Sequence, residues 1–276
     1  MDIDWRRRWT RAKIRFDCNL ERRAHVDGIS ETWITRHCTK SRNAVRLLFS
    51  EESRISAWEN EETPAGVLTD SAPVLEDIHS KTSPVYCIDV HSEAVWCLTG
   101  LENGTIHLWT VRQEEGTCVH TFQAHSGVVS VIKISPTEKS FLSGSWDKSI
   151  KLWSLDDGTL LKDYGTMKSQ ITSIEFRPST SKTDLVFFAT SFDGTLYIFD
   201  GSKEPKIVSA ASGSLNWCLS ACWSIDGKRI YCGRKNETVD EIDAVQGTIL
   251  RTIRMPKDSG WVSCVTMMPN NRQLLW

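Results

Sequence analysis

Four stretches of this chain repeat one another, and the distance between them leaves little choice of fold. They are Gly100-Leu101-Glu102-Asn103-Gly104-Thr105-Ile106-His107-Leu108-Trp109, Gly144-Ser145-Trp146-Asp147-Lys148-Ser149-Ile150-Lys151-Leu152-Trp153, Thr190-Ser191-Phe192-Asp193-Gly194-Thr195-Leu196-Tyr197-Ile198-Phe199 and a degenerate Gly233-Arg234-Lys235-Asn236-Glu237-Thr238-Val239-Asp240-Glu241-Ile242. Each runs from a turn through an acidic or amide residue into alternating apolar positions, then closes on an anchor. The anchors, Trp109, Trp153, Phe199 and Ile242, are 44, 46 and 43 residues apart. A period near 40–45 residues fits a four-stranded propeller blade and is too long for an ankyrin or tetratricopeptide unit. The alternation has period two rather than 3.6, which separately excludes helical repeats.

The second repeat can be divided strand by strand. Val128 to Ile134 reads as a first strand, Ser135-Pro136-Thr137-Glu138-Lys139 as a turn and Ser140 to Ser145 as a second strand. Asp147-Lys148 makes a tight turn into Ser149 to Ser154, and Asp156-Asp157-Gly158 turns into a fourth strand, Thr159 to Tyr164. The turns hold the Gly, Pro, Asp and Ser that their backbones require. The expected fold is therefore all-β, an incomplete β-propeller with about four recognisable blades and partial blades at both ends.

The second repeat carries a more specific pattern, from Ala124-His125-Ser126 to Lys151-Leu152-Trp153-Ser154. It resembles the WD-repeat family. That resemblance implies a buried hydrogen-bond network of an inter-blade histidine, a second-strand serine, a turn aspartate and the anchor tryptophan. His125, Ser143 or Ser145, Asp147 and Trp153 match those positions. Asn103 and Asn236 replace the aspartate in two other repeats.

Further stretches narrow the resemblance. Trp58-Glu59-Asn60-Glu61-Glu62, Ser83-Pro84-Val85-Tyr86, Leu98-Thr99-Gly100-Leu101-Glu102-Asn103-Gly104 and Leu142-Ser143-Gly144-Ser145-Trp146-Asp147-Lys148 occur in this order, with weaker matches at Arg22 to Asp27 and Glu175 to Pro178. Together they resemble the fungal suppressor-of-Ty WD-repeat subunits of the SAGA transcription coactivator complex. The resemblance implies a seven-bladed full-length relative, a nuclear location and no catalytic chemistry. It also implies partners among the other SAGA subunits and the TATA-binding protein. Acidic Glu59, Glu61 and Glu62, with Asn60 among them, are candidates to face a basic partner.

Boundaries follow from where the repeat is legible. Residues 1–60 read as a damaged or partial blade region, with Arg46 to Phe49 and Arg54 to Trp58 as strands and Trp58 as an anchor. Residues 61–82 read as a linker, and 83–276 as propeller blades. Residues 17–50 fit no strand pattern well. Gly260 to Pro269 resembles the first strand of another repeat, Asn270 to Arg272 its turn and Gln273 to Trp276 the start of a second strand. The chain is therefore expected to be a fragment or an incomplete gene model.

Composition bounds the function. Hydrophobic residues make up 40% and charged residues 25%, with a formal net charge of -2, the balance of an ordinary globular protein. A strong basic excess is missing, so direct nucleic-acid binding is not expected. Arg6-Arg7-Arg8, Arg11, Lys13 and Arg15, interleaved with Trp5, Trp9 and Phe16, are more simply read as a solvated segment. Nine cysteines at irregular spacing with no CxxC pair suit reduced intracellular thiols rather than disulfides or structural zinc. The opening residues lack a signal-peptide core, and no run approaches a membrane span. No nucleophile elbow or phosphate-cradling loop occurs, and the histidines lack metal-ligand spacing. The expectation is a non-catalytic scaffold without cofactor, metal or small-molecule substrate. The alternative is a WD-repeat adaptor of another assembly, such as a ubiquitin ligase, for which no recruiting segment is found.

Overall fold

The computed structural model describes residues 83–112, 116–178, 185–201, 204–208, 217–256 and 260–276, together with strands at 32–35, 44–49 and 54–59. All regular elements among the described residues are strands. Strands β1 (Thr32–Thr35), β2 (Ala44–Phe49) and β3 (Arg54–Glu59) form a three-stranded antiparallel sheet. The first blade contains β4 (Val85–Val90), β5 (Trp96–Leu101), β6 (Thr105–Thr110) and β7 (Cys118–Gln123). The second contains β8 (Val129–Ile134), β9 (Ser140–Ser145), β10 (Ser149–Ser154) and β11 (Leu160–Thr166). The third contains β12 (Ile171–Phe176), β13 (Phe187–Ser191), β14 (Leu196–Phe199) and β15 (Lys206–Val208). The fourth contains β16 (Cys218–Trp223), β17 (Arg229–Arg234), β18 (Thr238–Asp243) and β19 (Thr248–Arg254). A pair, β20 (Thr266–Met267) and β21 (Leu274–Leu275), follows. Each strand pairs with its neighbour in sequence, so every blade is an antiparallel meander.

The first strands of successive blades pack on one another, β4 on β8, β8 on β12, β12 on β16 and β16 on β20. Among the described residues they form the inner edge of an open arc of blades. The second strands β9, β13 and β17 lie under a neighbouring blade on each face, and all six residues of β9 are buried. Fourth strands form the rim, where most of β7, β11 and β19 is exposed. The core is made between blades. Val131, Leu142, Ile150 and Leu152 of the second blade pack against Ile171, Ile174, Phe176 and Phe187 of the third.

Close approach of the blades depends on one position in the second strand. A Cβ on Gly144 would lie 2.7 Å from Ile171 Cγ2, 2.8 Å from Ile174 Cδ1 and 2.9 Å from Val131 Cγ1. Gly100 and Gly233 stand at the equivalent places against Val129 and against Val262 and Val265. The third blade has Thr190 here, and its hydroxyl meets that of Thr172 at 2.8 Å. Gly144→Ala is expected to destabilise the protein by about 1–3 kcal/mol, because branched side chains on an inner strand must shift. A urea unfolding midpoint equal to the parent's would contradict this packing.

One strand expectation needs extending and another needs correction. The run Arg46 to Phe49, expected as a strand, lies within β2, whereas the rest of residues 17–50 fits no strand pattern well, yet β1 and the start of β2 also fall there. Their runs, Thr-Trp-Ile-Thr and Ala-Val-Arg-Leu-Leu-Phe, are too short and too irregular in polarity to show a period of two. The strand expected over Gly260 to Pro269 is reduced to Thr266–Met267. The preceding residues instead lean on the fourth blade, the Val262 amide donating to the Arg234 carbonyl at 3.1 Å and the Val265 amide to Ser220 Oγ at 3.0 Å. Strand pairing begins only where β21 supplies a partner.

Candidate functional site

The densest polar arrangement lies in the second blade. His125 precedes the inner strand β8, Ser143 is on β9, Asp147 is in the tight turn and Trp153 is near the end of β10. Trp153 Nε1 donates to Ser143 Oγ at 3.0 Å, and Ser143 Oγ lies 2.7 Å from His125 Nε2. His125 Nδ1 lies 3.0 Å from Asp147 Oδ2. The network assigns the tautomer. Asp147 can only accept, so Nδ1 carries the proton and Nε2 accepts from the Ser143 hydroxyl. Asp147 also receives the Ser149 amide and hydroxyl on Oδ1, at 2.9 and 2.7 Å, and the Ser126 amide on Oδ2 at 3.1 Å. Ser149 Oγ is a further neighbour of His125 Nδ1 at 2.9 Å.

Of the two serines that the repeat pattern left open, Ser143 bridges histidine and tryptophan. Ser145 has a different task, receiving the Asp147 amide at 3.0 Å and donating to the Gly127 carbonyl at 3.2 Å. Sequence reasoning missed Ser149 and Ser126. The Asp-x-Ser spacing of the turn was the available signal for Ser149, because an aspartate commonly bonds the backbone two residues on.

Ser143, His125 and Asp147 have the connectivity of an acyl-transfer triad. Their surroundings exclude that chemistry. Ser143 is fully buried, the His125 side chain is fully covered, and the serine oxygen already holds the Trp153 indole. No acyl group could reach it. The arrangement ties β8, β9 and β10 together.

The titration of the network follows from its geometry. Burial lowers the His125 pKa, outweighing the Asp147 carboxylate that would raise it. Burial alone would raise the Asp147 pKa, but the Ser149 hydroxyl and amide, the His125 ring and the Ser126 amide outweigh it. Asp147 therefore stays below the ordinary carboxylate range. Folding favours neutral His125, so its contribution is complete above the unfolded pKa of about 6.5 and is lost as pH falls below it. Folding favours ionised Asp147, so its contribution persists until pH falls below about 4. The urea midpoint is thus expected to decline first as pH falls below about 6.5 and again under stronger acid, below about 4. His125→Gln should remove the first decline. An unchanged profile in that variant would assign the decline elsewhere.

The other blades keep parts of this plan. In the first, Trp109 Nε1 donates to Thr99 Oγ1 at 2.9 Å, and Asn103 Oδ1 receives the Thr105 amide and hydroxyl at 3.0 and 2.7 Å. In the third, Phe199 stacks on Phe187 with centroids 4.5 Å apart, and Ala189 stands where Ser143 would be. Phenylalanine has no N–H to satisfy, so no hydroxyl is needed. In the fourth, the anchor Ile242 is fully buried and Cys232 occupies the serine position.

The fourth blade holds buried charge instead. Arg234 replaces Ser145, donating from Nε to Asp240 Oδ2 at 2.5 Å and from Nη1 to the Gly194 carbonyl of the third blade at 2.9 Å. Thr252 Oγ1 donates to Asp240 Oδ1 at 2.6 Å. Beside them, buried Glu241 accepts from Arg229 and Arg251 on the two flanking strands. None of these was legible as a functional group in the sequence.

Glu59 closes β3, and Asn60, Glu61 and Glu62 lie outside the described residues, as do the linker and the basic run near the start. The described histidines serve local structure. His91 lies 3.1 Å from the Glu138 carboxylate, and His120 packs edge-on against Phe122. Among the described residues no group of His, Cys, Asp or Glu is placed to share a metal ion.

Comparison with known proteins agrees with this architecture. A family model described as the SPT8 beta propeller matches residues 50–187 and again 180–276. The SAGA complex subunit SPT8 of Saccharomyces cerevisiae is 28% identical, over 80% of this chain and 48% of the yeast protein. The SAGA complex subunit Spt8 of Schizosaccharomyces pombe is also 28% identical, over 71% of this chain and 52% of its own length. This chain therefore spans about half the length of these two relatives. The crystal structure of the Cps50 (Swd1) beta-propeller domain of Myceliophteria thermophila superposes with a TM-score of 0.56 at 18% identity, covering 69% of this chain and 61% of that one. That likeness is one of fold.

Proposed function

The chain belongs to the SPT8 beta-propeller family, and on that premise we propose that it is a non-catalytic scaffold subunit of a SAGA-type coactivator complex in the nucleus. The observation that carries this reading is the family match across residues 50–276, joined to 28% identity with the SAGA subunits of two yeasts. The blades supply what a scaffold needs, namely rigid sheets whose turns offer broad rims. An interface of about 1,200–2,000 Å² fits on such a surface. The Ser143, His125 and Asp147 arrangement, which has the connectivity of a catalytic triad, is sealed inside the second blade.

The finer reading is that the subunit contacts the TATA-binding protein and so tunes transcription by RNA polymerase II. The acidic run Glu59, Asn60, Glu61 and Glu62 is the candidate contact for a basic partner. A tagged copy expressed in Schizosaccharomyces pombe lacking its own Spt8 should recover the other SAGA subunits on purification. Recovery of an unrelated assembly alone would overturn the reading. The partner contact is tested separately, by binding purified TATA-binding protein to the parent chain and to a variant with Glu59, Glu61 and Glu62 changed to Gln.

A further inference from the structure

Trp217 and Trp261 occupy equivalent places in successive blades, each immediately before the inner segment. The Trp217 carbonyl accepts the Lys235 amide at 3.0 Å, just as the Gln170 and Val128 carbonyls accept the Phe192 and Trp146 amides in earlier blades. The blade plan therefore does not require an indole here, since valine and glutamine serve as well. Yet Trp217 is 41% exposed and Trp261 62% exposed. Between them stands Lys235, its Nζ 3.9 Å from the centre of the Trp217 ring and 4.3 Å from that of Trp261. Phe192 extends the band into the third blade, edge-on to Trp217 at 5.8 Å.

We propose that Trp217, Lys235 and Trp261 form a docking site for an acidic peptide segment in which carboxylates alternate with large apolar side chains. Two ring faces hold the ammonium in place without cancelling its charge. Among the described residues no carboxylate lies within ion-pair distance of it. The ammonium is a cation that an anion can approach, and the exposed indole surfaces offer apolar area on both sides. A carboxylate beside a leucine or phenylalanine side chain satisfies both demands, and tryptophan is among the residue types that dominate binding energy at interfaces. A nucleic-acid strand fits less well, because tracking a phosphate backbone takes several cations and this chain has a formal net charge of -2. The site does not depend on which assembly the scaffold joins.

Fluorescence anisotropy on the full chain tests this with three labelled probes. They are a short peptide alternating Asp or Glu with Leu and Phe, its counterpart with Asn and Gln in place of the acids, and a single-stranded oligonucleotide. The acidic peptide should bind saturably, weaken with added salt and bind at least about tenfold more tightly than its amide counterpart. Trp261→Ala and Lys235→Glu should each weaken it by about tenfold or more, whereas Lys235→Arg should stay within about threefold. Both side chains are at the surface, and matching thermal melts would show that the variants fold. Absence of saturable binding, equal binding of the acidic and amide peptides, or variants that bind like the parent would overturn the proposal. So would tighter binding of the oligonucleotide that is lost in both variants, which would assign the surface to nucleic acid.

Discussion

Asp240→Ala is expected to destabilise the protein by about 3–5 kcal/mol, the cost of leaving a buried guanidinium without its carboxylate. Arg234 is 2% exposed and Asp240 5% exposed, so water cannot replace the lost oxygens. The damage should extend across the blade boundary, because Arg234 also holds the Gly194 carbonyl of the third blade. Urea unfolding measures the total. Hydrogen exchange should place the loosening at β17, β18 and the turn around Gly194. The double variant Arg234→Met, Asp240→Leu should be more stable than Asp240→Ala, because a well-packed apolar pair removes the desolvation penalty together with the attraction. A loss below about 1 kcal/mol for the single change would mean that water reaches the pair.

Trp153→Ala carries the second large effect, also about 3–5 kcal/mol. The indole stacks on Phe141 with centroids 6.4 Å apart and meets Phe122 edge-on at 5.7 Å. Removing it opens a cavity between the first and second blades and frees Ser143 from one of its partners. Trp153→Phe separates the two losses. It keeps most of the ring and gives up the hydrogen bond, so a loss of about 1 kcal/mol is expected, rising if the Ser143 hydroxyl is left unsatisfied. The third blade gives a natural precedent, with Phe199 at the anchor position and Ala189 at the position of Ser143. Trp153→Phe combined with Ser143→Ala should therefore recover part of the loss in the single variant. Equal unfolding midpoints for Trp153→Ala and the parent would show that the anchor does not hold the blade.

The repeat was readable because each blade is assembled from contacts between strands adjacent in sequence. The second blade shows this well. The sequence divides it at Ser140 to Ser145 and Ser149 to Ser154, and the same bounds occur in β9 and β10. Alternation with period two marks the strands, and Asp, Gly and Pro mark the turns. The pattern weakened where strands are short, as in β1, or where a strand lacks a full-length partner, as in β20.

Contacts between residues brought together by stacking were not readable. Ser143 and Ser145 lie two apart on one strand and share a face, so the alternation cannot say which one meets His125. Arg234 and Asp240 looked like the loss of a repeat pattern. In the folded chain they join the fourth blade to a carbonyl 40 residues away. Trp217, Lys235 and Trp261 carry no local signature, because two different blades bring them together. The order of residues alone thus determined the strands of the clearest blade, the blade period and the anchors, all of which follow from hydrogen-bond ladders between neighbouring strands. Tertiary structure decided which polar groups are buried together and which aromatic faces remain in water, because those outcomes depend on how one sheet lies on the next.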